Sequence, residues 1–405
     1  MKYVNSLKFM NSFPPAEKDG ISTARTLELC GLLGRVNIGT NSIFVPGGAS
    51  GHATAVMLES VIKAAGYKVG RISVAEGFDS RSIVYLDGAS APIEDYNRGV
   101  AELKSATLKA EGATFKKEEA CFALALLLCK LHAADYVILE GMTNGEYDLA
   151  SLCAPYDLVV VPAINGDQEE VCKTVCEAIR RGVREVVSGN QKKQLYDKIS
   201  NACVSAGARL TVTSKQSFNV ESLSGIKLSF TYADRGGYTL KTPSRIQREC
   251  AMLVIDSALA IRRSGIRLPW AAISSGLAGA SGTGCFEMFS ASPLLIIDSA
   301  ETPDEIGQLK ATLDDVFGKE NNKEISLCLP EKAENFELLL QDRKIKKYVI
   351  LSSSDENIST EERVICKSVK ECACEVFSMM RNGENVICFG SVGFALALRT
   401  ELNKK

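Results

Sequence analysis

The sequence predicts an α/β protein with two domains, a larger one built on a parallel sheet and a smaller C-terminal one. Short β-branched segments alternate with amphipathic helices along the chain, and a glycine-rich turn joins the first strand to its helix. A fresh strand–helix unit opens near residue 290. We therefore predict domains over residues 1–290 and 291–405, for which 405 residues are sufficient.

The first strand–helix–strand unit is the clearest part of this pattern. Residues 43–45 form a β-rich run, which the glycine-rich turn at 46–54 interrupts. Apolar residues then recur at helical spacing up to Gly66, and residues 69–74 form the next strand. A unit of this kind implies two parallel strands joined by a right-handed crossover.

The same alternation continues along the chain. It predicts strands over 135–140, 156–163 and 185–188, and helices over 118–133, 172–181 and 245–265. Residues 210–241 differ, because they alternate in period two around Gly236 and Gly237, which predicts an antiparallel hairpin inserted in the first domain. Later strands are expected within 348–354 and 385–398.

Composition excludes several classes of protein. Lys and Arg number 47 against 49 Asp and Glu, so no basic excess favours nucleic acid or an anionic membrane surface. The longest apolar run, residues 120–129, is too short to cross a bilayer. The 14 cysteines contain no Cys-x-x-Cys pair and only two histidines accompany them, which argues against a zinc site. We expect a soluble cytoplasmic protein whose cysteines pack as small buried side chains.

The glycine-rich turn, Pro46 to Thr54, is the first candidate site. Backbone N–H groups between a strand and a helix can bind a phosphate, assisted by the helix dipole. The turn lacks the lysine that normally reaches the phosphates, and glycine turns also serve simple strand–helix packing. From the residues alone, both interpretations stay open.

The segments around the turn resemble the folylpolyglutamate synthase/dihydrofolate synthase family of the Mur ligase superfamily. The similarity runs in order through almost the whole chain, over residues 56–73, 81–103, 136–151, 159–171, 245–261, 282–289, 295–305 and 388–402. The resemblance implies a Mur-ligase-like, parallel-sheet ATPase-type domain with a degenerate P-loop, followed by a smaller Rossmann-like C-terminal α/β domain.

The resemblance also implies a chemistry. The family consists of ATP-dependent amide ligases, which phosphorylate a carboxylate and let the amino group of glutamate displace the phosphate. Its members use a loop lysine, magnesium held by a loop hydroxyl, a glutamate and a histidine, and a carbamylated lysine. Such groups offset the charge of the migrating phosphoryl group.

This sequence departs from the family at those positions. An ungapped match puts Gly51 at the loop lysine and Ala53 at the metal-binding serine, whereas a shift of one residue puts His52 and Thr54 there. The other substitutions are Gln168 for the magnesium-binding histidine, Val175 for the carbamylated lysine, Ile246 and Cys250 for the histidine and asparagine of H-Q-x-x-N, Cys285 for the arginine of P-G-R, Glu301 and Thr302 for the histidine and asparagine of the C-terminal motif, and Glu146 for an arginine beside Asp148.

The candidate site residues combine positions that match the family with residues of the glycine-rich turn. For a nucleotide they are Gly47, Gly48, Ser50, Gly51, His52, Thr54, Gln247 and Asp298; for a metal they are Glu140 and Asp167; Asp148 is a further family match. Glu140 and Asp167 are either magnesium ligands or helix-capping and turn acids. Asp298 is either a ribose contact or a turn acid. We expect Gln247 on a helix surface and Cys250 and Cys285 to pack rather than react.

Three hypotheses follow for function. The leading one is a degenerate relative with weak or lost ligase activity, kept for binding a small molecule in the interdomain cleft or a protein partner. In that case no cofactor is certain. The alternative is an active ligase using ATP and magnesium, which takes its positive charge from Lys63, Lys68, Arg71, Arg81, Arg180 or Arg181. The third is a scaffold or subunit of a complex. None predicts nucleic acid or a membrane as partner.

Overall fold

A computed structural model of the chain describes residues 2–16, 20–74, 80–110, 113–143, 147–164, 169–224, 226–318, 324–331, 344–352 and 363–404. Its contacts define two compact units. Unit 1 comprises Met1–Gly47, Thr54–Lys215 and Ala251–Gly279, and unit 2 comprises Gly48–Ala53, Gln216–Cys250 and Ala280–Lys405. The segment predicted as a hairpin insert of the first domain is thus grouped by its contacts with unit 2. The predicted domain boundary near residue 290 stays a prediction.

Unit 1 contains an eight-stranded sheet. Its strands are β1 Asn41–Val45, β2 Val69–Ser73, β3 Val84–Leu86, β4 Ala89–Ser90, β5 Tyr136–Glu140, β6 Tyr156–Val161, β7 Val183–Ser188 and β8 Arg209–Val212. Their order is β4-β3-β2-β5-β1-β6-β7-β8, parallel except at the β2–β3 and β3–β4 pairs. Strands β1, β2, β5 and β6 are almost wholly buried, as expected for a parallel sheet covered on both faces.

Helices alternate with these strands and continue to residue 279. They are α1 Tyr3–Met10, α2 Thr23–Leu32, α3 Ala49–Ala64, α4 Ile93–Lys109, α5 Lys117–Leu131, α6 Tyr147–Ala150, α7 Glu169–Arg180, α8 Lys193–Ala206, α9 Arg245–Arg263 and α10 Trp270–Gly279. Helix α5 is apolar all round, and every residue from Glu119 to Cys129 is buried. It packs against α2, α4 and β2, which explains why it shows no polar face.

A three-stranded antiparallel sheet begins the second unit. Its strands are β9 Phe218–Ser224, β10 Lys227–Tyr232 and β11 Arg235–Leu240, in the order β11-β10-β9. The predicted hairpin exists, but its position was wrong: Gly236 and Gly237 lie inside β11, and the turn is formed by Ala233 and Asp234. Both turn residues have positive φ, 50° and 57°, as a two-residue turn between right-twisted strands requires. The glycine pair was therefore a misleading turn signal.

A six-stranded sheet completes unit 2. Strands β12 Glu287–Ala291, β13 Leu294–Asp298, β14 Ile325–Pro330, β15 Ile345–Leu351, β16 Arg363–Cys366 and β17 Asn385–Phe389 are arranged in the order β12-β13-β17-β14-β15-β16. Only β12 pairs antiparallel. Helices α11 Pro303–Phe317, α12 Val369–Arg381 and α13 Val392–Leu402 cover it, with apolar cores on both faces. The predicted α/β fold class is confirmed.

Two sequence expectations can be checked against burial and helix length. All cysteines are free thiols, and all except Cys374 are buried, as expected for cysteines that pack as small hydrophobic side chains. Across the ranges that the structure describes, no helix combines the length and the apolar character needed to cross a bilayer.

Candidate functional site

The glycine-rich turn is shorter than its spacing suggested. Gly48 is exposed with φ of +91°, and helix α3 already begins at Ala49. The His52 N–H donates to the Gly48 carbonyl at 2.9 Å, which is a bond of the first helical turn. In a P-loop, the residues before the lysine form an open loop whose N–H groups face the phosphates. Here Ser50, Gly51 and His52 are helical instead.

The side chains of this first helical turn are turned inward. His52 is 2% exposed, and its Nε2 lies 3.1 Å from the Gly282 carbonyl oxygen within unit 2. Because a carbonyl can only accept, Nε2 carries the proton. The Ser50 carbonyl accepts from the Cys250 thiol at 3.4 Å. Thr54 is fully buried. His52, which the one-residue shift of the resemblance places at the loop lysine, thus makes a protein contact.

Glu140 ends strand β5, beside the ends of β1 and β2. The sheet register pairs it with Val45 and with Ser73, which places it at the carboxyl edge that such sheets use for ligands. The Glu140 side chain is nevertheless buried, with only 1% of it exposed. Arg71 Nη1 donates to Oε2 at 2.6 Å, and Ser73 Oγ donates to Oε1 at 3.0 Å. Both carboxylate oxygens therefore already have protein partners.

Arg71 forms the centre of this buried network. Its Nε donates to Glu59 Oε2 at 2.8 Å, and its guanidinium lies 4.3 Å from the centre of the Tyr85 ring. Glu59 in turn accepts from the Gly88 N–H at 2.6 Å. Burial by itself would lower the pKa of Arg71, but Glu140 and Glu59 outweigh that effect and raise the pKa above its ordinary value. Arg71 is a permanent cation fixed between two carboxylates.

These residues do not fit a magnesium ion. Mg²⁺ requires about six oxygen ligands at about 2.0–2.1 Å. An ion at Glu140 would have to displace the Arg71 guanidinium or lie directly against it. Asp167 lies outside the described residues, and so do Gln168 and Glu146. Among the residues that the structure describes, no three His, Cys, Asp or Glu side chains are grouped to hold a metal.

Asp148, the remaining family match in unit 1, takes no visible part in this network. It lies half-buried in the first turn of α6, and its carbonyl accepts from Ser151 Oγ at 2.7 Å. Two of the proposed substitute cations, Lys63 and Lys68, are engaged elsewhere. Lys63 Nζ donates to the Asp87 carbonyl, and Lys68 Nζ donates to the His132 carbonyl. Arg71 does reach a candidate site residue, but its partner there is the carboxylate of Glu140.

Gln247 lies in unit 2 near the start of α9, and the expectation that it lies on a helix surface was wrong. It is 3% exposed. Its Nε2 donates to Thr283 Oγ1 and, at 2.8 Å, to the Cys285 carbonyl. The helical pattern of the sequence could not show that a loop from residue 280 onward covers this face. Whether Gln247 contacts a nucleotide stays a prediction.

Asp298 ends strand β13 as a buried turn acid. Its two carboxylate oxygens accept the N–H groups of Phe286 and Ala300, each at 2.7 Å. Phe286 has a positive φ of 53°, so Asp298 fixes an unusual backbone bend. Burial raises the pKa of Asp298 to about 7, although both backbone hydrogen bonds oppose the rise. This geometry supports the structural alternative over the ribose contact.

Cys285 and Cys250 behave as packing residues. Cys285 Sγ lies 3.6 Å from Ser299 Oγ, and burial, the largest effect, raises the pKa of its thiol well above the ordinary value. A thiol with a raised pKa is a poor nucleophile because the thiolate is the reactive form. The expectation that these cysteines pack agrees with the structure.

Comparison with known proteins supports the resemblance seen in the sequence. No protein-family model matches the chain. It is 26% identical over 370 residues to a probable bifunctional folylpolyglutamate synthase/dihydropteroate synthase of Haloferax volcanii, covering 82% of this chain and 42% of that protein. It is 24% identical over 343 residues to the folylpolyglutamate synthase of Lacticaseibacillus casei, covering 79% of this chain and 78% of that protein. The predicted resemblance to the family is confirmed.

The solved structures agree in fold. A solved complex of a folylpolyglutamate synthase (FPGS) with AMPPCP and folate superposes with a TM-score of 0.79 at 19% sequence identity, covering 99% of this chain and all of the other. Since the identity is low, this likeness shows the shared fold. The chain spans less than half the length of the bifunctional Haloferax relative.

Proposed function

We propose that this chain is a folylpolyglutamate synthase-like protein in which ordinary magnesium- and ATP-dependent ligase activity is weak or lost. The observation that carries the proposal is the buried pair of Arg71 and Glu140, with Nη1 and Oε2 2.6 Å apart. A fixed guanidinium already pairs with the carboxylate that the resemblance assigns to the metal. The protein then acts by binding a small molecule or a protein partner.

The missing positive charge supports this proposal. A lysine or arginine acting on a transferring phosphoryl group accelerates the reaction by about 10³–10⁵. Neither Gly51 nor the buried His52 supplies such a charge to the turn, and Arg71 is neutralised by Glu59 and Glu140. The loss of two such groups together would reduce the rate by many decades.

The intact scaffold supports a role in binding. The apolar core of unit 1 and the two apolar cores of unit 2 are well buried. The substitutions fall on charged and polar positions of the family motifs and leave the hydrophobic pattern of the strands unchanged. A protein that needs its fold but not phosphoryl transfer would have this combination.

The first test is nucleotide binding. We expect isothermal titration with Mg·ATP to give no saturable heat, and 5 mM Mg·ATP to leave the melting temperature almost unchanged. A nucleotide present at about 100 times its Kd would stabilise the folded state by about 2.7 kcal/mol, which a melting curve shows easily. The L. casei enzyme, measured in the same buffer, is the positive control.

The second test is turnover. The chain is incubated with folate, glutamate and Mg·ATP, and the products are followed by ADP release and mass spectrometry. Magnesium-dependent ligation at about 1 s⁻¹ or faster, within the usual range for enzymes, would establish the active ligase and overturn the proposal. Co-purification from cell extract then separates partner binding from small-molecule binding, because a stable complex appears only under the former.

A further inference from the structure

Unit 2 contains a half-open cavity of about 280 Å³. Its wall is built from the end of β11, the start of α9, the segment 280–289 and the end of α13. All of these belong to the same compact unit. The proposed function assigns no ligand to it, and Gln247 is the one lining residue among the nucleotide-binding candidates of the sequence.

A fixed guanidinium forms one side of the cavity. Arg399 Nε pairs with Glu287 Oε2 at 2.9 Å, which holds one edge of the guanidinium. Its other face packs over Gly282, where an added Cβ would lie 3.3 Å from Nη1 and 3.7 Å from Nη2. The side chain remains 35% exposed. Two terminal N–H groups in fixed positions match the two oxygens of a carboxylate.

The interior supplies a hydrogen-bond acceptor. Gln247 lines the cavity, and its Nε2 donates to the Cys285 carbonyl. Because that carbonyl can only accept, the amide orientation is fixed and Oε1 points the other way. Oε1 has no hydrogen-bond partner among the described residues. A buried acceptor of this kind is satisfied when a ligand brings an N–H or O–H.

The remaining wall is apolar, with a small excess of positive charge. Phe286, Met288 and Phe289 contribute an aromatic and thioether surface. The charged residues around the cavity are Lys241, Arg399 and Glu287, which gives one net positive charge. The volume is slightly below the range of about 300–1,000 Å³ typical of drug-sized ligands, and so it suits a single ring better than a nucleotide.

We propose that this cavity binds a small organic carboxylate with a ring-sized apolar body and one hydrogen-bond donor. The carboxylate lies against the free edge of the Arg399 guanidinium, the body lies against Phe286 and Met288, and the donor reaches Gln247 Oε1. The proposal invokes neither magnesium nor ATP, so its failure would leave the proposed loss of ligase activity untouched.

The test uses the full chain and three matched probes in isothermal titration. The probes are 4-hydroxybenzoate, benzoate, which lacks the donor, and 4-hydroxybenzamide, which lacks the charge. We expect 4-hydroxybenzoate to bind, benzoate to bind several-fold more weakly, and the amide at least tenfold more weakly. We expect Arg399→Met to weaken 4-hydroxybenzoate at least tenfold, whereas Arg381→Met, which changes an exposed arginine of the same unit, leaves the Kd within twofold.

Three results would overturn the proposal. They are no binding of 4-hydroxybenzoate up to about 10 mM, unchanged binding by Arg399→Met, or equal binding of the acid and its amide. Thermal unfolding checks that each variant is folded. If Arg399→Met does not fold, Met288→Trp adds bulk to the cavity wall and leaves both residues of the ion pair in place, and retention of binding by that variant refutes the site.

Discussion

Replacing Arg71 by methionine would test the buried network at the end of β2. The thioether keeps an unbranched apolar stem but removes the cation, so Glu59 and Glu140 remain buried without their partner. Removing one partner of a buried ion pair destabilises proteins by about 3–5 kcal/mol, because the remaining charge is uncompensated. Here one cation serves two carboxylates, so the loss should reach or exceed that range.

The protonation of the two glutamates sets the size of this effect. Protonating a glutamate of ordinary pKa, about 4.3, at pH 7 requires about 4 kcal/mol. If one or both carboxylates are neutralised in this way, the free energy of unfolding falls by about 4–7 kcal/mol at pH 7. At pH 5 the same protonation requires about 1 kcal/mol per group, so the deficit of the variant should shrink by at least about 2 kcal/mol.

The single tryptophan, Trp270, provides the assay. It lies on α10 within unit 1, the unit that contains Arg71, so its fluorescence follows unfolding of the relevant unit in urea. Arg181→Met, which breaks an exposed ion pair with Glu177, is the matched control and should change stability by less than about 0.5 kcal/mol. Replacing Arg71, Glu59 and Glu140 together by neutral side chains should recover much of the loss. A single variant as stable as the wild type at pH 7, or equally impaired at pH 5 and pH 7, would refute the reasoning.

Three further predictions concern stability. Burial raises the pKa of Asp298 from 3.8 to about 7. Its contribution to the free energy of unfolding is therefore full below about pH 4 and is lost as the pH rises through 7, by up to about 4 kcal/mol. Asp298→Asn should flatten this part of the pH profile of stability, measured by circular dichroism in urea. Gly70→Ala places a Cβ 2.3 Å from Cys129 Sγ and should destabilise unit 1 by about 1–3 kcal/mol, part of which Cys129→Ala should recover in the double variant. Gly31→Ala, where the added Cβ meets open space, should be neutral or stabilising. Equal effects of the two glycine-to-alanine changes would contradict the packing argument. Thr302→Ala removes the side-chain cap of α11 at the Glu305 N–H and should lower the melting temperature by an amount equivalent to about 1 kcal/mol, while an unchanged melting temperature would show that the cap contributes nothing.

Much of the fold could be predicted from local patterns. The strands β1, β2, β5 and β6 begin and end within about two residues of their predicted bounds, because a buried parallel strand is a continuous apolar run. The helix α5 was equally clear. The hairpin turn was misplaced, because two glycines in β11 give a stronger turn signal than Ala233 and Asp234. Local propensity cannot show which pair the strand register selects.

The candidate site was less predictable. Glu140 and Arg71 were both singled out, the first as a metal ligand and the second as a cation for phosphate. Their pairing depends on the register between β2 and β5, which places Ser73 beside Glu140 and Arg71 two residues earlier on the same face of its strand. The cavity at Arg399 was not found at all, because its walls come from segments more than a hundred residues apart.

The sequence by itself determined the fold class and the alternation of strands and helices, because these depend on residue types and on spacing along the chain. Only the tertiary structure decided what the remaining charges do. A carboxylate at a strand end is a metal ligand or the partner of a guanidinium according to which side chain the neighbouring strand brings within about 3 Å. That distance is set by sheet pairing between residues 71 and 140 and cannot be read from either segment alone.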